Sequence, residues 1–251
     1  MNADALTWDV LGWPLAAGLA VLATHVPLGR RVLARGIVFL DLAVAQIAVL
    51  GVVAAHAAGL EAAWQTQAAA VSAALAGAWL LARCEARWPQ IQEALIGSSF
   101  VVAASAALIL IAGDPHGGEH LEALLSGQIL WARPDEVAKL ALLNAALLAF
   151  WAWRGARLGL TGFYALFALA ITASVQIVGV YLVFASLILP ALAQRPLGAR
   201  AGLAAGYALG AAGYGVGLAA SAFYDWPSGP AAVLALAALA LLAGPVVAAR
   251  R

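Results

Sequence analysis

Apolar residues run along this chain in blocks too long for a soluble core, and polar residues gather between the blocks. A membrane helix needs ~20 mostly apolar residues to cross the hydrocarbon layer. Cutting the chain at its charge clusters and Gly/Pro punctuation predicts spans near 9–28, 36–58, 62–82, 96–112, 137–153, 160–177, 179–194, 200–222 and 228–248. The pattern therefore predicts an all-α, polytopic membrane helix bundle of about nine transmembrane spans (eight to nine). The stretch 160–194 carries no charge, and about 35 residues is too long for one span and short for two. Its flanking clusters, Arg154/Arg157 and Arg195/Arg200, both read as cytoplasmic, which requires an even number of passes between them. Gly179 is the expected turn, with one of the two passes short or broken.

Charge adds a direction. With the N-terminus outside, Arg30, Arg31, Arg35, Arg83, Arg87, Arg154, Arg157, Arg195, Arg200, Arg250 and Arg251 are all cytoplasmic, and only Arg133 and Lys139 lie outside. Nine of the 12 acids fall on the outer side. Flipping the chain reverses both distributions, so the N-terminus is expected to be periplasmic and the C-terminus cytoplasmic. The first ten residues hold Asp4 and Asp9 and no Lys or Arg, so they lack the basic region of a cleaved secretory signal.

Composition excludes a soluble domain. The chain is 65% hydrophobic and 10% charged with a mean hydropathy of +0.96, against ~45–50% and ~25% in ordinary domains. A single cysteine, Cys84, excludes an internal disulfide framework and any multi-cysteine metal or redox motif. No linker or composition shift divides residues 1–251, which read as one transmembrane domain. The longest polar stretch is 113–139. Within it, Leu121, Leu124, Leu125 and Ile129 share a helical face, predicting a short amphipathic helix at the bilayer surface. Gly202, Gly206 and Gly210 recur every four residues, with Gly213 and Gly217 beyond, a surface that lets helix backbones approach closely in lipid. Packing inside the bundle is favoured over a dimer seam.

The polar residues inside the apolar blocks are the candidates for function. An ionised Asp at the centre of a membrane helix costs ~2.5–3.5 kcal/mol on the insertion scale. Asp41 lies six residues after Arg35 in an apolar run and is expected well within the hydrocarbon depth. Gln46 follows five residues on. His56 shares a face with Asp41 but stands about 22 Å further along the axis, so the two could mark stations on one path but could not share an ion. His25, near the cytoplasmic end of the first span, is expected at a similar depth to Asp41. A His–Asp pair could serve transport or be a neutralised structural contact. Outside, Asp114, His116, Glu119, His120 and Glu122 crowd into nine residues, and imidazoles with carboxylates suit a divalent transition metal, zinc most readily. A solvated acidic turn is the alternative. No phosphate-binding glycine loop with its Lys and no activated nucleophile is present, so no enzyme is expected, and nothing points to nucleic acid.

Five segments in order carry a family resemblance. RGIVFLDLAVAQIAVLG (35–51) resembles a second-span motif in which a cytoplasmic Arg pair leads into F-x-G-D-A-L-S-H-x-x-L-x-G. EALIGSSFVVAASAALIL (93–110) is similar to E-A-L-I-G followed by an apolar span, and HLEALLSGQIL (120–130) to L-x-x-L-L-F-G-x-I-L. VQIVGVYLVFASLILPALA (175–193) is similar to V-G-V-L-L-V-x-A-L-L-I-L-P-A-x-x-A, and YDWPSGPAAVLAL (224–236) to D-x-P-x-G-P-x-I-V-L. In these five segments and their order, the chain resembles the permease subunits of bacterial zinc/manganese ABC importers.

That resemblance implies a multi-pass inner-membrane permease, homodimeric or paired, with its path between protomers. It implies a cytoplasmic ABC ATPase dimer that hydrolyses ATP, a periplasmic metal-binding protein, no tightly bound cofactor, and zinc or manganese as cargo. From the residues themselves, the candidates for contact with the metal are Asp41, Gln46, His25, His56, His116, Glu119 and His120. Two departures stand out. Counted back from Gly51, the family Asp falls on Leu42 and the family His on Gln46, so Asp41 sits 100° of helix rotation away from the family position. The cytoplasmic segment that docks the ATPase in the family is cut to about 153–162, leaving 83–97 as the largest cytoplasmic piece. Because of these departures, a permease for another cargo such as a metal chelate remains open, as does a transporter or scaffold that works without an ATPase.

Overall fold

The computed structural model describes residues 7–112, 117–195 and 197–248. Nine α-helices and three short 3-10 turns make up the fold among these residues, and no strand occurs. The helices are α1 (Trp8–Arg35), α2 (Leu40–Ala57), α3 (Ala63–Arg87), α4 (Gln92–Ile111), α5 (Gly117–Ser126), α6 (Pro134–Arg154), α7 (Leu160–Gln194), α8 (Ala199–Tyr224) and α9 (Ser228–Ala248). Seven of them, α1–α4 and α6–α8, are long and apolar enough to cross a membrane, and α9 is apolar over Ser228–Ala243.

The core is built around α7, whose side chains are buried along most of its length. Gly179 interrupts it with φ 79° and ψ 163°, a backbone region essentially closed to residues with a side chain. The chain folds back there. Near one end of α7 the Arg35 guanidinium lies 4.5 Å over the Phe163 ring. Near the other, a Cβ on Gly29 would come within 3.2 Å of Ala191 Cβ. Gly29 and Arg35 are about 9 Å apart along α1, whereas a straight helix would separate 163 from 191 by about 42 Å. The arms 160–178 and 180–194 therefore lie side by side, with the predicted break at the predicted glycine.

Helix α1 departs from its predicted bounds. It continues through Pro27, Gly29 and the arginine pair to Arg35, and Gly36 in left-handed conformation closes it. The arginines hold the extra turns: Arg30 Nη1 donates to Ala199 O at 2.7 Å, and Arg31 and Arg35 rest on the rings of Trp151 and Phe163. The turn into α2 is therefore 36–39 and not the expected 29–36. Helices α1 and α2 do not form a packed hairpin. Among the described residues α2 packs on α3, α4 and α7, and α1 on α6, α7 and α8.

The small-residue face of α8 packs inside, as expected. A Cβ on Gly210 would meet Leu22 of α1, and one on Gly217 would meet the Ala232 backbone of α9. The amphipathic segment differs from its prediction. Helix α5 packs on α7 and α9, Ile129 lies beyond it in a 3-10 turn and is fully buried, and Gly127 sits against Val178 at the α7 reversal. Its apolar face covers protein.

Where the α3–α4 connection meets the start of α7, hydrogen bonds replace apolar packing. Tyr164, fully buried, donates to Glu85 Oε2 at 2.5 Å and accepts from Gln92 Nε2 at 3.0 Å. Gln92 Nε2 also donates to Leu81 O, and Glu93 Oε1 accepts from the Val38 N–H at 2.7 Å. Replacing Tyr164 with phenylalanine strips a donor from Glu85 and an acceptor from buried Gln92. The expected loss is about 1–3 kcal/mol, read as a lower midpoint of thermal unfolding in detergent.

Candidate functional site

Helix α2 carries the candidate site on one face. Leu42 and Gln46, four residues apart, line a cavity of about 570 Å³ with Phe100 of α4, Tyr181 and Phe184 of α7 and Val233 of α9. At the end of α2 where the helix begins, Phe39 stacks on Phe184 with centroids 6.3 Å apart and planes within 4°. At the other end, Val53 and His56 line a second cavity of about 730 Å³ with Glu61, Leu110 and Leu124. Leu121 of α5 lines both. One helix face thus borders two chambers that share a wall.

The predicted site residues separate into those that line these cavities and those that do not. Gln46 lines the first cavity and His56, exposed, the second. Asp41 lines neither. Because α1 runs longer than expected, α2 begins at Leu40, and Asp41 falls in its first turn and not deep within a span. It is fully buried, and among the described residues neither carboxylate oxygen has a hydrogen-bond partner. The free N–H groups of a helix start suit a carboxylate electrostatically, which accounts for the helix position but not for the complete burial.

His25 is also fully buried, its Nδ1 2.9 Å from Val21 O and 3.2 Å from Thr24 Oγ1, with Nε2 unpartnered. It stands ten residues from the end of α1, about 15 Å along the axis, while Asp41 stands at the start of α2. The expected pairing at equal depth is not made. Glu119 is exposed on α5, His120 lies on the same helix, and His116 lies outside the described residues. Among the described residues no three of His, Cys, Asp and Glu gather closely enough to hold a metal ion. The aromatic lining, Phe100, Tyr181 and Phe184, carries no sequence signal, because an apolar residue facing a cavity reads like one facing lipid.

A membrane protein with chambers along one buried helix invites comparison with known transporters. The model of the ABC 3 transport family matches residues 7–163 and 156–246. This chain belongs to the ABC 3 transport family. It is thus a multi-pass membrane permease of an ABC system, a transport subunit and not itself an enzyme. The two matched stretches meet at the connection between α6 and α7, the segment that is short here.

Solved structures share the fold of this ABC 3 permease. PsaBC from Streptococcus pneumoniae in complex with Fab superposes with a TM-score of 0.75 at 20% identity, over 96% of this chain and 93% of that one. An inward-facing structure described as a metal-chelate type ABC transporter gives a TM-score of 0.60 at 15% identity, over 99% of this chain and 89% of the other. No curated protein matches this chain.

Proposed function

We propose that this chain is the membrane permease subunit of a metal-ion ABC importer, with zinc or manganese as the transported substrate, and that residues 1–251 act as one permease domain. The observation that carries this reading is the pair of chambers along α2, with Leu121 as a shared wall, inside a fold of the ABC 3 family. His56 and Glu61 line one chamber and supply the imidazole and carboxylate that a divalent ion prefers. The reversal at Gly179 supports counting α7 as two passes. Together with α1–α4, α6, α8 and α9 that makes nine, an odd number, with the termini on opposite sides. The distribution of arginines then sets the N-terminus outside in the periplasm and the C-terminus in the cytoplasm.

In this orientation the His56 chamber faces outward, towards a periplasmic metal-binding protein, and the Phe39–Phe184 pair closes the cytoplasmic side. A cytoplasmic ATPase dimer supplies the energy, and two copies of the chain share the inner membrane. The α6–α7 connection is short, so contact with the ATPase falls to the α3–α4 connection. Its exposed Trp88 and Ile91 project from the segment that Gln92, Glu93 and Tyr164 tie to α7 and to the turn before α2.

Co-purification of the tagged chain from native membranes, with an ATPase assay and metal analysis of what accompanies it, tests this assembly. The expected result is a stoichiometric nucleotide-binding subunit with zinc- or manganese-stimulated ATP hydrolysis. A partnerless oligomer under gentle extraction removes the importer reading and leaves a transporter without an ATPase, or a scaffold.

A further inference from the structure

The cavity beside Leu42 and Gln46 is chemically unlike a site for a naked dication. Its hydrogen-bonding side chains are Gln46 and Tyr181, and the other lining residues are Leu, Val, Ala and Phe. Among the described residues no carboxylate, imidazole or thiol lines it, whereas His56 and Glu61 line the neighbouring chamber. An ion that shed its water here would find one amide and one phenol in place of six or so donors, and an unpaired charge in an apolar surround is far too unfavourable to persist. Keeping its shell does not solve the problem. Six waters at ~30 Å³ each fill roughly 180 Å³, a third of the space, and would face hydrocarbon.

The dimensions match something else. Sites for organic molecules run ~300–1,000 Å³, with mostly apolar and aromatic walls and a few polar groups that set orientation. A cavity of about 570 Å³ walled by Phe100, Phe184, Leu42 and Val233, with Gln46 and Tyr181 as its polar groups, has that character. We propose that this cavity takes the metal already wrapped in a neutral organic chelate, with Gln46 and Tyr181 as the polar contacts to the ligand shell. The inference rests on the importer reading and names the form in which its metal crosses.

The test is equilibrium binding to the chain in nanodiscs, together with whatever ATPase co-purifies. Radioactive zinc is supplied either as the free ion or as its neutral bis-picolinate complex, and empty nanodiscs measure partition into lipid. In a chain carrying His56→Ala and Glu61→Gln, which silences the neighbouring chamber, the complex is expected to be retained at least about tenfold more tightly than the free ion. Ala104→Trp, which fills the cavity from α4, should abolish retention of the complex. Gln46→Leu, close in size and less demanding of the fold, should weaken it by roughly tenfold through loss of one hydrogen bond to the ligand shell. The double change Leu42→Asp with Gln46→His places a carboxylate and an imidazole four residues apart on one face, and it should create retention of the free ion.

Free zinc bound more tightly than the complex by a chain carrying His56→Ala and Glu61→Gln, which removes the ligands of the neighbouring chamber, overturns the proposal. So does retention of the complex that neither Ala104→Trp nor Gln46→Leu changes, or a co-purified lipid that holds the cavity against the complex. Any of these leaves the importer reading standing as long as an ATPase co-purifies. Absence of the ATPase removes the importer reading instead, whatever the cavity binds.

Discussion

Replacing Gly179 with valine is expected to lower the thermal midpoint sharply and to cut the yield of correctly folded protein. Residue 179 holds φ 79° and ψ 163°, where a side chain of L configuration costs about 1–3 kcal/mol in backbone strain alone. Steric exclusion comes on top. A Cβ at 179 would stand 2.3 Å from the Gly127 nitrogen and 2.6 Å from the Ser126 carbonyl carbon, both backbone atoms that cannot rotate away. Relief requires α5 to separate from the reversal of α7, which would open the wall that both chambers share. Strain and overpacking together reach about 4 kcal/mol or more, against a total stability of ~5–15 kcal/mol for a typical protein. Size-exclusion profiles of fluorescently tagged protein in mild detergent would show the loss as aggregation. A monodisperse Gly179→Val protein with an unchanged thermal midpoint would mean that the chain does not reverse as described.

Asp41→Asn is expected to separate stability from transport. The Asp41 carboxyl is fully buried and, among the described residues, both oxygens are unpartnered, a state that costs on the order of 1–3 kcal/mol even for uncharged polar groups in proteins. Its position in the first turn of α2 returns about 0.3–1 kcal/mol through the helix dipole, up to ~2 kcal/mol in the best cases. Asparagine keeps the shape and cannot ionise, so it avoids any cost of a buried, unpaired charge and the thermal midpoint should hold or rise. Uptake of zinc or manganese should fall by at least about tenfold if the carboxylate meets the cargo or its waters when the Phe39–Phe184 end of the cavity opens. Undiminished uptake would remove Asp41 from transport. Uptake and stability falling together would make it a structural helix-end residue.

These two positions show what the sequence reveals and what it conceals. Gly179 is legible because 160–194 has no charge, has the wrong length for a single span, and offers one glycine near its middle. The helices themselves follow from long apolar blocks bounded by arginines, and packing inside the bundle follows from the four-residue spacing of glycines on α8. Asp41 is legible as an anomaly but not as a location. Its depth depends on where α1 stops, and three arginines continue that helix by finding the Ala199 carbonyl and the rings of Trp151 and Phe163, partners distant in sequence. The expected depth of His25 relative to Asp41 fails for the same reason. The cavity is the least legible feature. Leu42, Phe100 and Phe184 would read alike beside lipid, beside a neighbouring helix or beside a cargo, and only the convergence of α2, α4, α5, α7 and α9 tells these apart.

The reversal of α7 also constrains how the protein is made. The arm 180–194 has 15 residues, about 22 Å of helix, which is less than the ~17–25 residues that a segment needs to span a bilayer alone. No polar loop separates it from the arm before it, so the insertion machinery meets the two arms as one continuous apolar segment. The second arm must enter the membrane folded against its sibling, and its backbone must find α1 before it can stay there. Since α1 is synthesised first, it is already in the membrane as a template when the hairpin emerges. Moving the α7 segment ahead of α1 by circular permutation would remove that template and strand the hairpin during synthesis.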